Sequence, residues 1–498
     1  MAHVDATLGQ GVRTLLVLGG SGDLAGRLLL PGLGRLLASG GAPHLRLVGA
    51  GADDWDDERW RDRLRRAFTV APSIEVAPWE SLAPPTREDP GADTLRRLER
   101  ESVYLRADVT RADDLRRALA TCRPPVAIYF ALPPAVTERA CLALQEIGVP
   151  DGTRLIMEKP FGTDAESARR LNGVVGRLVP EEQVHRVDHF LGKSTVLNIL
   201  GFRFANRIFE PVWSASHIDR VDIVYDENLG LEDRARYYDS AGALRDMIQS
   251  HLLQVLALIA MDPPATMGER NVRDCIAEVL RATRAGDPQH HSCRARYTAG
   301  VLGDRELPSY TDEPGVDPAR GTETLAEVTC FIDSWRWKGV PFRLRSGKGV
   351  SVARKEALIT FKAVPHLPAG FRGTSQPTRL RLGLGPECLD LELDVNGSGD
   401  PWTLDRVVLS TDFGSGELPA YGEVLLGVLE GDPLLSVRGD IVDECWRIVE
   451  PVLAAWQAGT VPLEEYPAGS NGPRLLRGGP AASTSGAPVI ASPSARER

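Results

Sequence analysis

Four groups of residues in this chain have the types and spacing to do chemistry. The first is VHRVDHFLGKS (184–194), which places His185, Asp188, His189 and Lys193 close together. His185 and His189 have the i,i+4 spacing of one helix face, but no HExxH glutamate or nearby cysteine accompanies them, which argues against a metal. His189 and Lys193 share that spacing and offer donors to an anionic group such as a phosphate; the plainer reading is a surface ion-pair face. The second is His251, in an amphipathic segment where Leu244, Met247, Ile248, Val255 and Leu258 share its face. That setting suits an ordinary core histidine. As a general base it would need a carboxylate to fix its tautomer and steady the imidazolium. Asp188 and Asp246 are the candidates, although Asp246, five residues earlier, falls on another face of an α-helix. The third is Lys159 in MEKPFG, just after an apolar strand, where open α/β sheets place ligands; otherwise it is an exposed turn lysine.

The fourth is a glycine turn, LLVLGGSGDLAGR (15–27). A strand ending at Gly19, followed by Gly20, Ser21 and Gly22 before a helix, lets backbone approach a pyrophosphate while the helix N-terminus offers free N–H groups. A dinucleotide fits such a turn, although GGxGDLA is not the full GxGxxG and glycine turns also arise from packing. After the second strand come Asp53 and Asp54, which suit a plain adenosine ribose over a phosphorylated one if they face the ligand. Either can equally be part of a solvated acidic helix entry.

Elements that would position these residues are legible in the hydrophobic pattern. Up to residue 187, RTLLVLGG, LRLVGAG, SVYLRADV, VAIYFALPP and TRLIMEKP alternate with helical text, which predicts a parallel sheet covered by crossover helices. Proline-rich text from Ala71 to Asp93 interrupts it as a loop or insertion. After Asp188, longer strand-like segments such as HIDRVDIVYDE and CLDLELDV predict an antiparallel sheet with helices on one face. From Ala468 the Gly, Pro, Ala and Ser content predicts disorder. The expected division is therefore 1–187, 188–467 and a tail at 468–498.

Composition agrees with a globular chain of two domains: 498 residues, 43% hydrophobic and 25% charged. The run LLQVLALIAM is about half a membrane span, and the N-terminus lacks a signal-peptide pattern, so a cytoplasmic protein with no membrane partner is expected. Seven scattered cysteines without CxxC spacing predict reduced thiols and no zinc site. A net charge of -10 without a basic, aromatic-interleaved stripe argues against nucleic acid.

Taken in order, GGSGDLAGRLLLPGL, YFALPP, MEKPFG, RVDHFLGK, DENLGLEDRARYYDSAGALRDMIQSHLLQ, RWKGVPFRLRSGKG, GDPLLSVRGDIVDECW and YPAGSNGP resemble the glucose-6-phosphate dehydrogenase family, from about residue 13 to 473. The resemblance implies a Rossmann-type coenzyme domain followed by a β+α domain whose large, mainly antiparallel sheet makes a homodimer or a dimer of dimers. It implies hydride transfer from C1 of glucose 6-phosphate to NADP or NAD, giving 6-phosphogluconolactone in the oxidative pentose phosphate pathway, without a metal. On it, His251 is the general base and Asp188 its partner. His189 and Lys193 hold the substrate phosphate, and Lys159, Glu227, Asp246 and Lys348 surround the sugar. Gly19, Ser21, Gly22, Asp23, Leu24 and Ala25 line the coenzyme, with Asp53, Tyr129 and Lys159 beside it.

Departures from the family pattern fall at Leu28 for a lysine, Phe190 for a phosphate-contacting tyrosine, Ala52 for an arginine, and Ala353 for a basic residue that Arg354 could replace. Ala52 beside Asp53 leads to the expectation that NAD serves at least as well as NADP. Arg59, Arg61 and Arg63 could reach back to a 2′-phosphate, but read more simply as a solvated helix face. Leu28, Phe190 and Ala353 leave open a weakly catalytic relative that senses coenzyme or sugar phosphate, or a dehydrogenase of another aldose.

Overall fold

The computed structural model describes residues 11–69, 91–188, 190–192, 194–232, 235–397, 399–412 and 420–473. Six strands form the first sheet: β1 (Thr14–Leu18), β2 (Arg46–Gly51), β3 (Val103–Arg106), β4 (Val126–Phe130), β5 (Arg154–Met157) and β6 (Val184–Arg186). All pair parallel in the order 3-2-1-4-5-6, the doubly wound arrangement of dinucleotide-binding sheets. β1 and β4 are buried along their whole length, as apolar strands covered on both faces must be. The register brings Leu18 level with Ala50 and Phe130, Phe130 with Met157, and Met157 with Arg186. The glycine turn, the end of β2, Glu158–Lys159 and Asp188 therefore leave the sheet along one edge.

β1 runs through the turn into a π-helical turn (Ala25–Leu29) and α1 (Leu30–Ala38); β2 leads to α2 (Asp57–Thr69). Leu30, Leu33 and Leu37 of α1 and Trp60 and Leu64 of α2 pack on the sheet with Val424, Leu425, Val428 and Leu429 of the helix Ala420–Glu430, so chain from near the C-terminal end closes this layer. The prolines between residues 70 and 90 lie outside the described residues, while Ala92 and Asp93, read as part of that loop, open a helix (Ala92–Glu101).

The remaining strands are β7 (Ile218–Asp226), β8 (Thr283–Ala285), β9 (Ser292–Thr298), β10 (Gly300–Leu302), β11 (Arg305–Leu307), β12 (Leu325–Ile332), β13 (Pro341–Gly347), β14 (Arg354–Phe361), β15 (Arg379–Gly383), β16 (Cys388–Asn396), β17 (Leu404–Asp412) and β18 (Leu463–Pro467). All but the β10–β11 ribbon form one ten-stranded sheet. Its pairs are antiparallel except β7–β13 and β9–β18. Against its inner face lies a π-helix, Leu244–Leu252, continued by the α-helix Leu253–Ala260. Of the segment expected to be disordered, residues 468–473 are placed against this sheet: Ala468 is buried, and the Asn471 and Pro473 carbonyls accept from Arg345. Residues 474–498 lie outside the described residues. No described helix is long and apolar enough to cross a membrane.

Candidate active site

His251 comes from the π-helix, Asp188 from the end of β6, and Lys159 from the end of β5. His251 Nδ1 lies 2.5 Å from Asp188 Oδ1, and both side chains are buried. A carboxylate only accepts, so Nδ1 carries the proton and Nε2 presents its lone pair. That lone pair faces Lys159 Nζ at 2.7 Å. Asp188 Oδ1 also accepts from the Phe190 N–H at 2.9 Å, and the Phe190 ring stacks on the imidazole at 4.1 Å and 15°. Burial pulls the His251 pKa below its ordinary value; Asp188 opposes the shift and Lys159 reinforces it. The imidazole is held neutral, with one lone pair available as a base.

Asp246 was placed on another face of an α-helix, and the π-helix overturns that expectation. Its i→i+5 winding stacks residues five apart, so Asp246, Ser250 and His251 converge on one ammonium. Lys159 Nζ donates to the Asp246 carbonyl oxygen and to Ser250 Oγ at 3.1 Å, and lies 3.8 Å from Asp246 Oδ1. The winding starts at Gly242, whose φ of +70° and ψ of 170° suit only glycine. A Cβ there would collide with the Glu323 carboxylate, which accepts the Leu244 N–H at 3.0 Å.

A second pair flanks this corner. Lys348 Nζ is 2.6 Å from Glu227 Oε2, both buried, and Lys348 lies 5.3 Å from the Tyr238 ring centroid. Burial raises the Tyr238 phenol well above its ordinary value, and the Asp246 and Glu227 carboxylates add to the shift. Arg354, expected as a stand-in for the missing basic residue, is instead bound by Asp226 at 2.8 Å, which also holds Arg345 at 3.1 Å. His189 and Lys193 lie outside the described residues.

At the glycine turn, Gly19 has a φ of +84°, and a Cβ on it would strike the Ala131 carbonyl. Ser21 Oγ lies 3.3 Å from the Tyr104 hydroxyl. Leu24 and Ala25 pack into the core beneath the turn, with Ala25 fully buried, so they support it from below. Asp23 pairs with Arg27 at 3.0 Å, and Asp53 is exposed just past β2. Of the arginines read as a solvated face, Arg63 instead turns inward and donates to the Gly22 carbonyl. The turn, the Ser21 backbone N–H, which has no hydrogen-bond partner among the described residues, and the adjoining arginine fit an anionic dinucleotide. Tyr129 is buried, and its hydroxyl and that of Tyr421 (2.6 Å) both donate to Glu158 Oε1. Burial raises the Glu158 pKa against those hydrogen bonds.

Sequence reasoning missed Ser250, the Tyr129–Glu158–Tyr421 cluster and the stacking of Phe190. Only the glycine at 242 hinted at the altered helix. Among the described residues no group of three or more His, Cys, Asp or Glu side chains could hold a metal.

Residues 16–198 match the glucose-6-phosphate dehydrogenase NAD binding domain, and residues 200–478 match the C-terminal domain of the same family. The chain is 37% identical to the glucose-6-phosphate 1-dehydrogenase of Treponema pallidum, covering 92% of each, and 36% identical to that of Zymomonas mobilis, covering 93% of this chain and 96% of the relative. Its fold is similar to the crystal structure of the Mycobacterium avium glucose-6-phosphate 1-dehydrogenase, with a TM-score of 0.80 and 32% identity over 93% of this chain and 96% of that one. It is also similar to a glucose-6-phosphate dehydrogenase in complex with glucose 6-phosphate, with a TM-score of 0.79 and 26% identity over 93% and 96%. With both domain types matched in order and the buried histidine–aspartate pair at the sheet edge, the chain belongs to the glucose-6-phosphate dehydrogenase family.

Proposed function

We propose that this chain oxidises glucose 6-phosphate at C1 with a nicotinamide dinucleotide, using His251 as the general base. The observation that carries this reading is the 2.5 Å contact between His251 and Asp188, which leaves Nε2 a lone pair among Lys159, Ser250 and Asp246. Nε2 takes the proton of the C1 hydroxyl, and Asp188 holds the Nδ1 proton and steadies the imidazolium that forms. When bound, the nicotinamide accepts the hydride; the chain's own part is alignment and proton transfer. The sugar hydroxyl displaces the Lys159 ammonium from Nε2, and Lys159 then donates to the sugar. Glu227, Lys348 and Asp246 bind further hydroxyls, and His189 and Lys193 hold the phosphate. Changing Lys193 to alanine is expected to raise the sugar phosphate KM steeply with little loss of kcat; an unchanged KM would reject that role.

Gly19, Ser21, Gly22 and Asp23 receive the coenzyme pyrophosphate, with Asp53 toward the adenosine ribose. Ala52 removes a bidentate contact to a 2′-phosphate, a loss of about 1.5–3 kcal/mol, and Asp53 suits a free 2′-hydroxyl, so NAD is accepted. Parallel initial rates of reduced-coenzyme formation with glucose 6-phosphate and either NAD or NADP test this. Negligible rate with NAD would refute it. Phe190, a departure from the family pattern, stacks on the base and packs the imidazole in place.

A further inference from the structure

We propose that the cleft between α1 and α2 is a phosphate-monoester site built by Arg59 and Arg63 around Trp55, and that it receives the 2′-phosphate of NADP. This rests on the glycine turn being the coenzyme site. The cleft, about 360 Å³, opens directly beside that turn and shares Asp23 and Gly26 with it; Arg59, Arg63 and Arg66 line its other wall. Those three positions follow the spacing of one helix face.

The arginines of α2 divide by what they meet. Arg61, facing away from the cleft, pairs with Asp57, and Arg65 pairs with Glu58, Asp62 and Glu99. Arg59 and Arg63 form no ion pair among the described residues. Their guanidinium groups lie 4.9 and 5.5 Å from the Trp55 ring centroid, a stack that fixes them in place. Arg63 is partly buried, its Nε has no hydrogen-bond partner among the described residues, it donates to the Gly22 carbonyl, and burial lowers its pKa while the Asp23 and Asp53 carboxylates oppose that shift. Gly26 makes room for it, since a Cβ there would collide with the guanidinium. Two cations held against a tryptophan, one with a buried unused donor, suit a dianionic monoester better than the singly charged diphosphate linkage groups. A chain that has lost the arginine after β2 thus keeps a route to NADP from α2.

Calorimetric titration of the full chain with 2′,5′-ADP and with 5′-ADP tests the site without sugar or turnover, so its outcome is separable from that of the oxidation itself. The unmodified chain is expected to bind 2′,5′-ADP at least tenfold more tightly than 5′-ADP. Arg59→Ala and Arg63→Ala are each expected to weaken 2′,5′-ADP about tenfold or more, and Arg61→Ala to leave it unchanged. Arg59→Ala should hold 5′-ADP within twofold, because Arg59 makes no contact with the turn. Equal affinity for the two nucleotides, or an Arg59→Ala loss shared by both, would overturn the proposal. Inorganic phosphate is expected to compete with 2′,5′-ADP; phosphate binding without competition would place the site outside the coenzyme and overturn the assignment.

Discussion

Burial keeps the His251 imidazole below its ordinary pKa; Asp188 and Asp246 oppose that shift and Lys159 adds to it. The base works unprotonated, so kcat/KM for the sugar should rise with pH through a limb below the usual imidazole value of about 6.5 and be flat above it. Lys159→Met removes a nearby cation, which makes the imidazolium easier to form and moves that limb to higher pH. Asp188→Asn removes the stabilising anion, moves the limb to lower pH and cuts kcat by roughly 10²–10⁴-fold. A pH–rate series on the three proteins checks both signs; limbs that do not move would show that neither residue acts on His251. At this scale the sequence made the residue types legible but not their partners. Asp188 and Asp246 were both candidates for His251, Asp246 the weaker for its place on another helix face, and only the family resemblance singled out Asp188, because the fold alone brings residue 188 beside residue 251. Phe190 read as a lost hydroxyl, since nothing local reveals that its ring lies flat on the base.

The π-helix Leu244–Leu252 decides which side chains meet. Apolar spacing made a helix legible, but not its winding: the apolar residues on the His251 side fit an α-helix as well, and Gly242 was the one local sign of a change. Gly242 and Glu323 fix where this winding begins. Gly242→Ala places a side chain in a glycine-only conformation and against a carboxylate, and should cost about 1–3 kcal/mol or more in a urea unfolding series. Because the displaced helix carries the base, kcat should fall as well, with coenzyme affinity intact. A variant of normal stability and kcat would show that the winding does not depend on this start. In the first sheet, by contrast, β1 to β5 were legible, because buried parallel strands print as apolar runs between turns; β6 was not, since its three residues, VHR, carry no such run and its histidine invited a helical reading.

For the whole molecule, the alternation of strands and helices made two sheets legible, one parallel and one mainly antiparallel. What it did not reveal is the return of the helix Ala420–Glu430 onto the first sheet, because an apolar helix face carries no address. The large sheet ends at β17 with Val408 and Leu409 exposed, and Val395 and Trp402 lie exposed nearby. The family expectation of a homodimer through the large sheet would cover Leu409 and Val395, which share a face because Val395 pairs with Asp405, four residues before Leu409. Light scattering should give about twice the 54.1 kDa chain mass, and Leu409→Asp should halve it; a monomer in the unmodified protein would refute the interface. The two sheets together bring β5, β6 and the π-helix to one corner, and His251 is the group on which the chemistry turns. The most direct test is the turnover of His251→Asn with glucose 6-phosphate and coenzyme, measured beside its urea midpoint and coenzyme affinity. A kcat lower by roughly 10²–10⁴-fold with both other quantities unchanged is the expected result, and near-normal turnover would contradict His251 as the base.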